Sequence, residues 1–331
     1  MPENPLISIV IASYAFDRLK DITELLDSIN AQTYKNVETI LIVERSKDLY
    51  NGIISYIQQK KILNVKPLFN EKEPGLSSSR NLGIRQSTGE IVAFIDDDAL
   101  LFSDWAEELI KTFGDKRAVG VTGPAILKWE DSPAPVWFPE EFDWITGGTG
   151  WFAGDKKREV RNVWGMNMSF LKEALNKYQF LLGHDASADG AKVGLEGDDT
   201  ELSLRIHKGT GRPIIYNPSV KVYHKVYAKR LTKKFVRQKS YWQGYTKAVL
   251  RKNFKREKQE ENVLTTEYTL LRRILFKLLP SIAGRFFVHP VVACKKLSFT
   301  CRVMYHIGLG YFSGRITFLG NITRKSYGAS H

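Results

Sequence analysis

The sequence has little cysteine, no long apolar run and, toward its end, almost no acid. Only Cys294 and Cys301 occur in 331 residues. Seven positions apart, they fall two turns apart on one helix, too far to bridge, so no disulfide framework is expected and a reducing, cytosol-facing setting fits. After Arg285, charges interrupt every apolar stretch. The longest uncharged one there, Val303–Gly314, has 12 residues, short of the ~20 that a bilayer-spanning helix needs. The amino-terminal residues show no basic segment followed by an apolar run, so no signal peptide is expected. Internal repeats and low-complexity segments are absent, which argues against a solenoid or a tail-like chain. Residues 207–331 hold 26 Lys/Arg against 4 Asp/Glu, whereas residues 1–206 hold 23 against 32, so the net charge of +13 arises wholly in the last 125 residues. Such a basic region points to an anionic partner: a membrane surface, a nucleic acid or phosphorylated substrates.

What is present describes a globular chain, with 43% hydrophobic and 12% aromatic residues. Leu6–Ala12 is a nearly continuous β-branched run, the mark of a strand covered on both faces. Helical spacing follows in Leu19–Gln32, then a strand at Val37–Val43, a helix at Leu49–Ile62 and a strand at Val65–Phe69. Pro74-Gly75 opens a helix to about Ser87, closed by Gly89. Ile91–Ile95 is a fourth strand, Trp105–Phe113 a helix and Ala118–Thr122 a fifth strand. Strands alternating with helices through short loops predict an α/β fold with a doubly wound, mostly parallel sheet.

Residues 124–162 break that rhythm. Asn162–Phe170 reads as strand-like, Thr200–His207 as a short helix, and Ile214–Tyr216 and Val220–Tyr223 as strands. From Leu231 to about Lys258 the chain reads as helical and basic. In Tyr268–Ile282, residues Leu271, Ile274, Leu275, Leu278 and Ile282 share one face, with Arg273 and Lys277 opposite. The expected division is a catalytic domain over 1–228, a basic helical segment over 229–262 and amphipathic helices over 263–331. Basic, Phe/Tyr-rich amphipathic helices suit the interface of a membrane. A helical cap on the main domain, its cations merely solvated, is the alternative.

The chemistry gathers where strands end. The fourth strand runs into Asp96, Asp97 and Asp98, three like charges that need a positive neutraliser. At the carboxyl end of an α/β strand, a divalent cation fits that need. A cap for the helix near Ser103 needs only one acceptor, and Ser103 supplies it. The first strand ends in Ser13-Tyr14, followed by Asp17-Arg18, a loop placed to meet a nucleotide. The second ends in Glu44-Arg45-Ser46, where a carboxylate can accept from a base or ribose. Gly75-Leu76-Ser77-Ser78-Ser79-Arg80-Asn81 is a helix start with backbone N–H groups and an arginine, both suited to phosphate.

The order of Val10-Ile11-Ala12-Ser13-Tyr14, Glu44, Gly75–Asn81 and Phe94-Ile95-Asp96-Asp97-Asp98 resembles glycosyltransferase family 2 across roughly residues 5–225. The resemblance implies a GT-A (Rossmann-like) fold and inverting, metal-dependent transfer from a nucleotide-sugar donor. One departure is visible. Many members carry Asp-Asp-Gly-Ser after the second strand, where this chain has Glu44-Arg45-Ser46. That variant and the basic tail are similar to archaeal transferases acting on polyprenyl-phosphate carriers, which implies a lipid-linked or other glycan acceptor and work on the cytoplasmic side of the cell membrane, peripherally or through an interfacial anchor.

By the same resemblance, Ser13, Tyr14, Glu44, Arg80, Asn81, Asp96 and Asp97 meet the donor, and Asp98 binds Mn²⁺ or Mg²⁺. Within Gly194–Arg205 the family's acidic pair corresponds to Asp198-Asp199, making Asp199 the general base. Capping of the following helix by either carboxylate is compatible with that role. His224, after a late strand, completes the metal shell in some relatives, although a lone histidine is more often structural. Trp164-Gly165-Met166-Asn167 resembles the family's Gly-x-Asn segment. It would set Trp164 and Asn167 beside donor sugar and acceptor, although Trp164 is equally explicable as core. Gly147–Gly150 is only a weak phosphate-loop signal.

Two other readings remain open at this point. A metal-dependent nucleotidyltransferase shares the sheet and a metal carboxylate but needs no Asp198-Asp199 helix. A nucleic-acid-binding protein would use Phe235, Tyr241, Trp242 and Tyr245 among the cations of 229–258, yet it leaves the acidic site unexplained.

Overall fold

The computed structural model describes residues 2–71, 75–181, 197–256 and 263–317. Pro74, Gly194–Glu196 and Lys258 lie outside the described residues. The chain begins β1 (Ile7–Ser13), α1 (Leu19–Asn30), β2 (Val37–Glu44), α2 (Lys47–Lys60), β3 (Val65–Asn70), α3 (Leu76–Gln86) and β4 (Ile91–Ile95). Next come β5 (Ala99–Leu101), α4 (Trp105–Phe113), β6 (Gly120–Thr122), β7 (Ala125–Trp129), β8 (Arg158–Val160), β9 (Asn167–Leu171) and α5 (Lys172–Lys177). The remainder is α6 (Asp198–Thr210), β10 (Ile214–Tyr216), β11 (Val222–Val226), α7 (Lys233–Arg256), α8 (Thr265–Arg273), α9 (Leu279–Phe286) and α10 (Pro290–Thr317).

Eight strands form one sheet in the order β3-β2-β1-β4-β9-β6-β10-β8. Its first four strands are parallel, and β9 runs antiparallel between β4 and β6. A smaller sheet, β5-β11-β7, pairs β11 antiparallel with β5 and parallel with β7. Side chains alternate across the large sheet, as a period of two demands. Ile7, Ile9 and Ile11 pack with Ile22, Leu25 and Trp105 in one core. Val10, Ile42 and Phe94 pack with Met168, Phe170 and Leu202 in another. Each such fully buried side chain contributes about 1.5–3 kcal/mol of transfer free energy, so β1 and β4 are rigid supports for the loops at their carboxyl ends.

Strand order turns back at β1 and β4: the chain leaves β1 toward β2 and β3, then returns to lay β4 on the other side. That is the switch point at which open α/β sheets bind ligands, beyond the carboxyl ends of the strands. Ser13 and the Asp triplet stand there.

The described chain divides into two compact units, residues 1–133 with 142–227, and residues 134–141 with 228–331. Residues 134–141, within the stretch where sequence periodicity failed, thus belong with the carboxyl-terminal helices. In that second unit α7 and α10 cross at glycine, since a Cβ on Gly244 would collide with the Ile307 carbonyl and one on Gly310 with that of Tyr241. Ile274, Leu278 and Ile282 are buried, but Leu271 and Leu275, expected on the same face, are exposed. A π turn over Ile274–Leu278 breaks the 3.6-residue period between them. No helix among the described residues is long and apolar enough to cross a membrane.

Candidate active site

Leaving the buried strand β4, the chain makes a tight turn in which the Ala99 N–H donates to the Asp96 carbonyl at 3.0 Å. The turn sends its three carboxylates to different partners. Asp98 is buried; its Oδ1 lies 3.1 Å from His224 Nε2 and its Oδ2 3.0 Å from Arg18 Nη1. Asp96 is about a third exposed, with Oδ2 3.9 Å from His224 Nε2 and Oδ1 3.4 Å from Arg80 Nη2. Asp97 accepts from Ser13 Oγ at 2.5 Å and lies 3.8 Å from Arg18 Nε. Burial and the Asp98 charge push Asp97 up to about 7, against the pull of Arg18 and the Ser13 hydroxyl. Adjacent Tyr14 is exposed.

His224 reaches the cluster from β11, and its position is set by Gly147. This residue has φ +95°, and any Cβ there would strike the imidazole ring. The Gly147–Gly150 segment therefore serves as backing for His224, and a glycine is needed on both conformational and steric grounds. His224 Nδ1 is buried without a hydrogen-bond partner among the described residues.

Asp96, Asp98 and His224 each offer one ligand atom, all within 4.8 Å of one another. Ligands on adjacent vertices around Mg²⁺ or Mn²⁺ lie roughly 3 Å apart, so this mixed oxygen and nitrogen set fits such an ion with little adjustment. The local charge balance agrees. Asp96, Asp97, Asp98, Asp198 and Asp199 face the guanidinium groups of Arg18 and Arg80, leaving carboxylates in excess.

Arg80, buried on α3, joins this cluster to a second one. Its Nη1 pairs with Asp198 Oδ2 at 2.6 Å while Nη2 faces Asp96, and its guanidinium sits 5.4 Å from the Phe180 ring centroid. Burial opposes the charge, but Asp198, Asp96 and Asp199 more than offset it, and the arginine pKa rises. Asp199 is the second residue of α6, which begins two residues earlier than sequence periodicity indicated because the acidic residues form its first turn. Its Oδ1 accepts from the Thr200 N–H at 2.6 Å and its Oδ2 from the Gly165 N–H at 3.1 Å. Gly165 follows half-buried Trp164, whose ring meets Phe152 and Tyr216 edge-on at 5.0 and 5.8 Å.

Three other candidates are engaged elsewhere. Asn81 uses both ends of its amide on the Phe180 backbone, at 2.8 and 2.9 Å. Asn167, almost wholly buried, accepts from Trp105 Nε1 at 3.0 Å and donates to the Val220 carbonyl at 2.8 Å. Glu44 accepts from the Gly75 N–H at 2.5 Å, tying β2 to the start of α3. Beside it opens a cavity of about 640 Å³ lined by Arg45, Ser46, Phe69 and Asn70 among others, where Arg45 holds φ +66°.

The sequence reading missed what lies behind Asp98. Arg18 also pairs with Asp21 at 3.1 Å, and Asp21 accepts from Lys225 Nζ at 2.8 Å and Tyr227 Oη at 2.5 Å. Lys225 reaches Glu24 as well, at 2.5 Å. Because side chains alternate along β11, His224 faces the triplet while its neighbour Lys225 is buried against α1. The burial of Lys225 between Val222 and Val226 is what demands a paired carboxylate.

The fold is that of the GT-A transferases, and two solved structures share it. Mannosyltransferase PcManGT from Pyrobaculum calidifontis, solved in complex with GDP-Man and Mn²⁺, matches 95% of this chain and 88% of its own at TM-score 0.59 and 14% identity. GalNAc-T7, solved with UDP, GalNAc and Mn²⁺, matches 74% of this chain and 51% of its own at TM-score 0.52 and 15% identity. The sequence model of Glycosyl transferase family 2 matches residues 8–179, taking in the triplet and Arg80 and stopping before Asp199 and His224. The chain belongs to glycosyltransferase family 2. A relative from Haloferax volcanii, glucosyl-dolichyl phosphate glucuronosyltransferase, is 30% identical over 272 residues, 80% of this chain and 83% of the relative.

Proposed function

We propose that this glycosyltransferase is an inverting enzyme that moves a sugar from a nucleotide-sugar donor to a polyprenyl-phosphate-linked acceptor, with Asp199 as general base. The observation that carries the reading is Arg80, which bridges Asp96 in the metal-type cluster to Asp198 beside Asp199. One buried side chain thereby couples a site for a leaving diphosphate to a site for a proton acceptor. Asp98, Asp96 and His224 would hold Mn²⁺ or Mg²⁺, and the imidazole nitrogen favours Mn²⁺. Such an ion, when bound, offsets the negative charge that grows on the diphosphate.

Asp199 is oriented for its role by the Thr200 and Gly165 N–H groups. A carboxylate oxygen has two acceptor positions, so the bond from Gly165 aims Oδ2 without barring proton transfer. As the acceptor oxygen bonds to the sugar C1, the C1–O bond to the diphosphate breaks on the opposite face and the hydroxyl proton passes to Asp199. Trp164, adjoining Gly165, would pack against the sugar or the acceptor. Ser13, Tyr14, the Glu44–Gly75 junction and the cavity beside Arg45 would receive the nucleotide. Asn81 and Asn167 would act by holding the walls in place.

The acceptor class is supported by the dolichyl phosphate named for the Haloferax volcanii relative. We assign catalysis to residues 1–228 and attachment to the cytoplasmic side of a membrane to 263–331, with 229–262 connecting them. The exposed free thiols of Cys294 and Cys301 favour a reducing compartment. Asp199→Asn tests the reading. Transfer is expected to fall about 10²–10⁴-fold, while Mn²⁺-dependent binding of nucleotide-sugar, measured by calorimetry, is retained. Turnover near that of the unaltered enzyme would refute the base assignment.

A further inference from the structure

The helix α10 has two apolar sides. Ala293, Phe299, Val303 and Gly310 are buried within the second unit, as a packed helix requires. On the other side, Val291, Cys301, Tyr305, Leu309, Phe312 and Ile316 are exposed. Their spacing, at the three- and four-residue steps of a helix or sums of them, places them on one face. Charges stand only at its borders, with Lys295 and Arg302 along one edge and Arg315 along the other. The turn before α10 is equally bare, Phe287 being 92% and Val288 69% exposed. A helix at the surface of a domain ordinarily presents a polar outer face, and this one does not.

Charge decides what covers it. After Glu267 the chain has no Asp or Glu to its last residue, against ten Lys/Arg. A second copy set on this face would bring cations against cations with no acid to pair them. A nucleic acid would need the cations along the middle of the face, where apolar side chains stand. An anionic bilayer fits both parts, taking the apolar stripe at the acyl boundary and the flanking cations at the headgroups. We propose that the outer face of α10 and the Phe286–Val288 turn lie in the interface of an anionic lipid bilayer, parallel to its plane. This rests on the reading of a lipid-linked acceptor and names the surface that would bring the enzyme to it.

Cys294 and Cys301 lie on the proposed face and are the chain's only cysteines, so an environment-sensitive fluorophore on the full chain reports there directly. Vesicles of phosphatidylcholine with phosphatidylglycerol as a quarter of the lipid, free of donor and acceptor, should bind the protein and shift the probe to the blue. Arg302→Gln with Arg315→Gln should weaken that binding of unlabelled protein by roughly 25-fold, about five-fold for each cation. Phe312→Ser with Ile316→Ser should weaken binding with the melting temperature kept, both side chains being exposed. Equal binding to pure phosphatidylcholine, a probe that shifts through self-association without lipid, or co-sedimentation with DNA but not vesicles would overturn the proposal. Donor hydrolysis, followed separately without vesicles, reports on the catalytic reading, so the two can fail independently.

Discussion

Arg18 and Arg80 hold different members of the same acidic triplet, Asp97 and Asp98 for the first and Asp96 for the second, and their further partners differ in kind. Behind Arg18 stands a closed chain of Asp21, Lys225, Tyr227 and Glu24, all from α1 and β11 or its end. Beyond Arg80 stand Asp198 and Asp199, at the first turn of α6 and beside the Trp164–Gly165 backbone. One arginine anchors the triplet to the scaffold. The other connects it to the acidic first turn of α6. A cluster of carboxylates can thus be fixed through one arginine and linked to a second acidic pair through another, an arrangement that holds charge ready with little reorganisation.

The contrast between the two flanks breaks most visibly at Arg80. Arg80→Met removes the bridge and leaves Asp96 and Asp198 without their shared cation. Transfer should drop about 10²–10³-fold, the size of effect seen when one preorganised charge partner is lost, with Arg80→Lys recovering part of it. Mn²⁺ affinity, measured by electron paramagnetic resonance, should change less than transfer does, because only Asp96 of the three candidate ligands touches Arg80. A large loss of Mn²⁺ binding would mean that the two flanks act as one unit.

Lys225 tests the scaffold side. Lys225→Met leaves Asp21 buried with a diminished set of donors, and breaking a buried ion pair from one side costs about 3–5 kcal/mol. The melting temperature should fall steeply, and residual enzyme assayed well below it should keep most of its kcat. A fall in kcat with an unchanged melting temperature would move Lys225 to the chemical side of the division.

Arg18→Gln sharpens the division further. Arg18 holds Asp98 Oδ2, which leaves Oδ1 toward His224. Loss of a partner that orients a metal ligand lowers affinity about 10–100-fold, and the lower end is expected for Mn²⁺ here because Lys225 still fixes the backbone of β11. Removal of a nearby cation would by itself strengthen metal binding. The direction of the change therefore decides whether Arg18 positions Asp98 or competes for it.

The sequence announced these sites unequally. Alternation of strand and helix and the terminal position of Asp96–Asp98 are local patterns that the folded chain keeps, while the acidic pair expected ahead of α6 lies inside its first turn. The partners are distant. Arg80 and Asp198 are 118 positions apart and Asp21 and Lys225 are 204 apart, so no window on the sequence could pair them. Gly147 belonged to a run that resembled a phosphate loop, and only the packing of His224 upon it shows another purpose. Asn81 and Asn167 show the converse. Their residue types suited a polar site, but each is buried beside groups that need partners, the Phe180 backbone for Asn81 and the Trp105 indole and Val220 carbonyl for Asn167. At residues 124–162 periodicity failed because the stretch divides between two units and so has no single core to face.

The smallest effect expected is on acid stability. Burial alone would raise the pKa of Asp21, but hydrogen bonds from Lys225 and Tyr227 and the charge on Lys225 outweigh it, holding the group below its ordinary value of 3.8 in the folded protein. A carboxyl group that binds its proton less readily when folded stabilises the native state above the ordinary value, and that contribution fades as pH falls through the lower, folded one. Asp21→Asn removes it. The melting temperatures of the parent and Asp21→Asn proteins should therefore differ most at neutral pH and converge as the pH drops below about 4. A gap that stays constant across that range would show that Asp21 contributes through packing and neutral hydrogen bonds, and that the Arg18 flank is held by shape more than by charge.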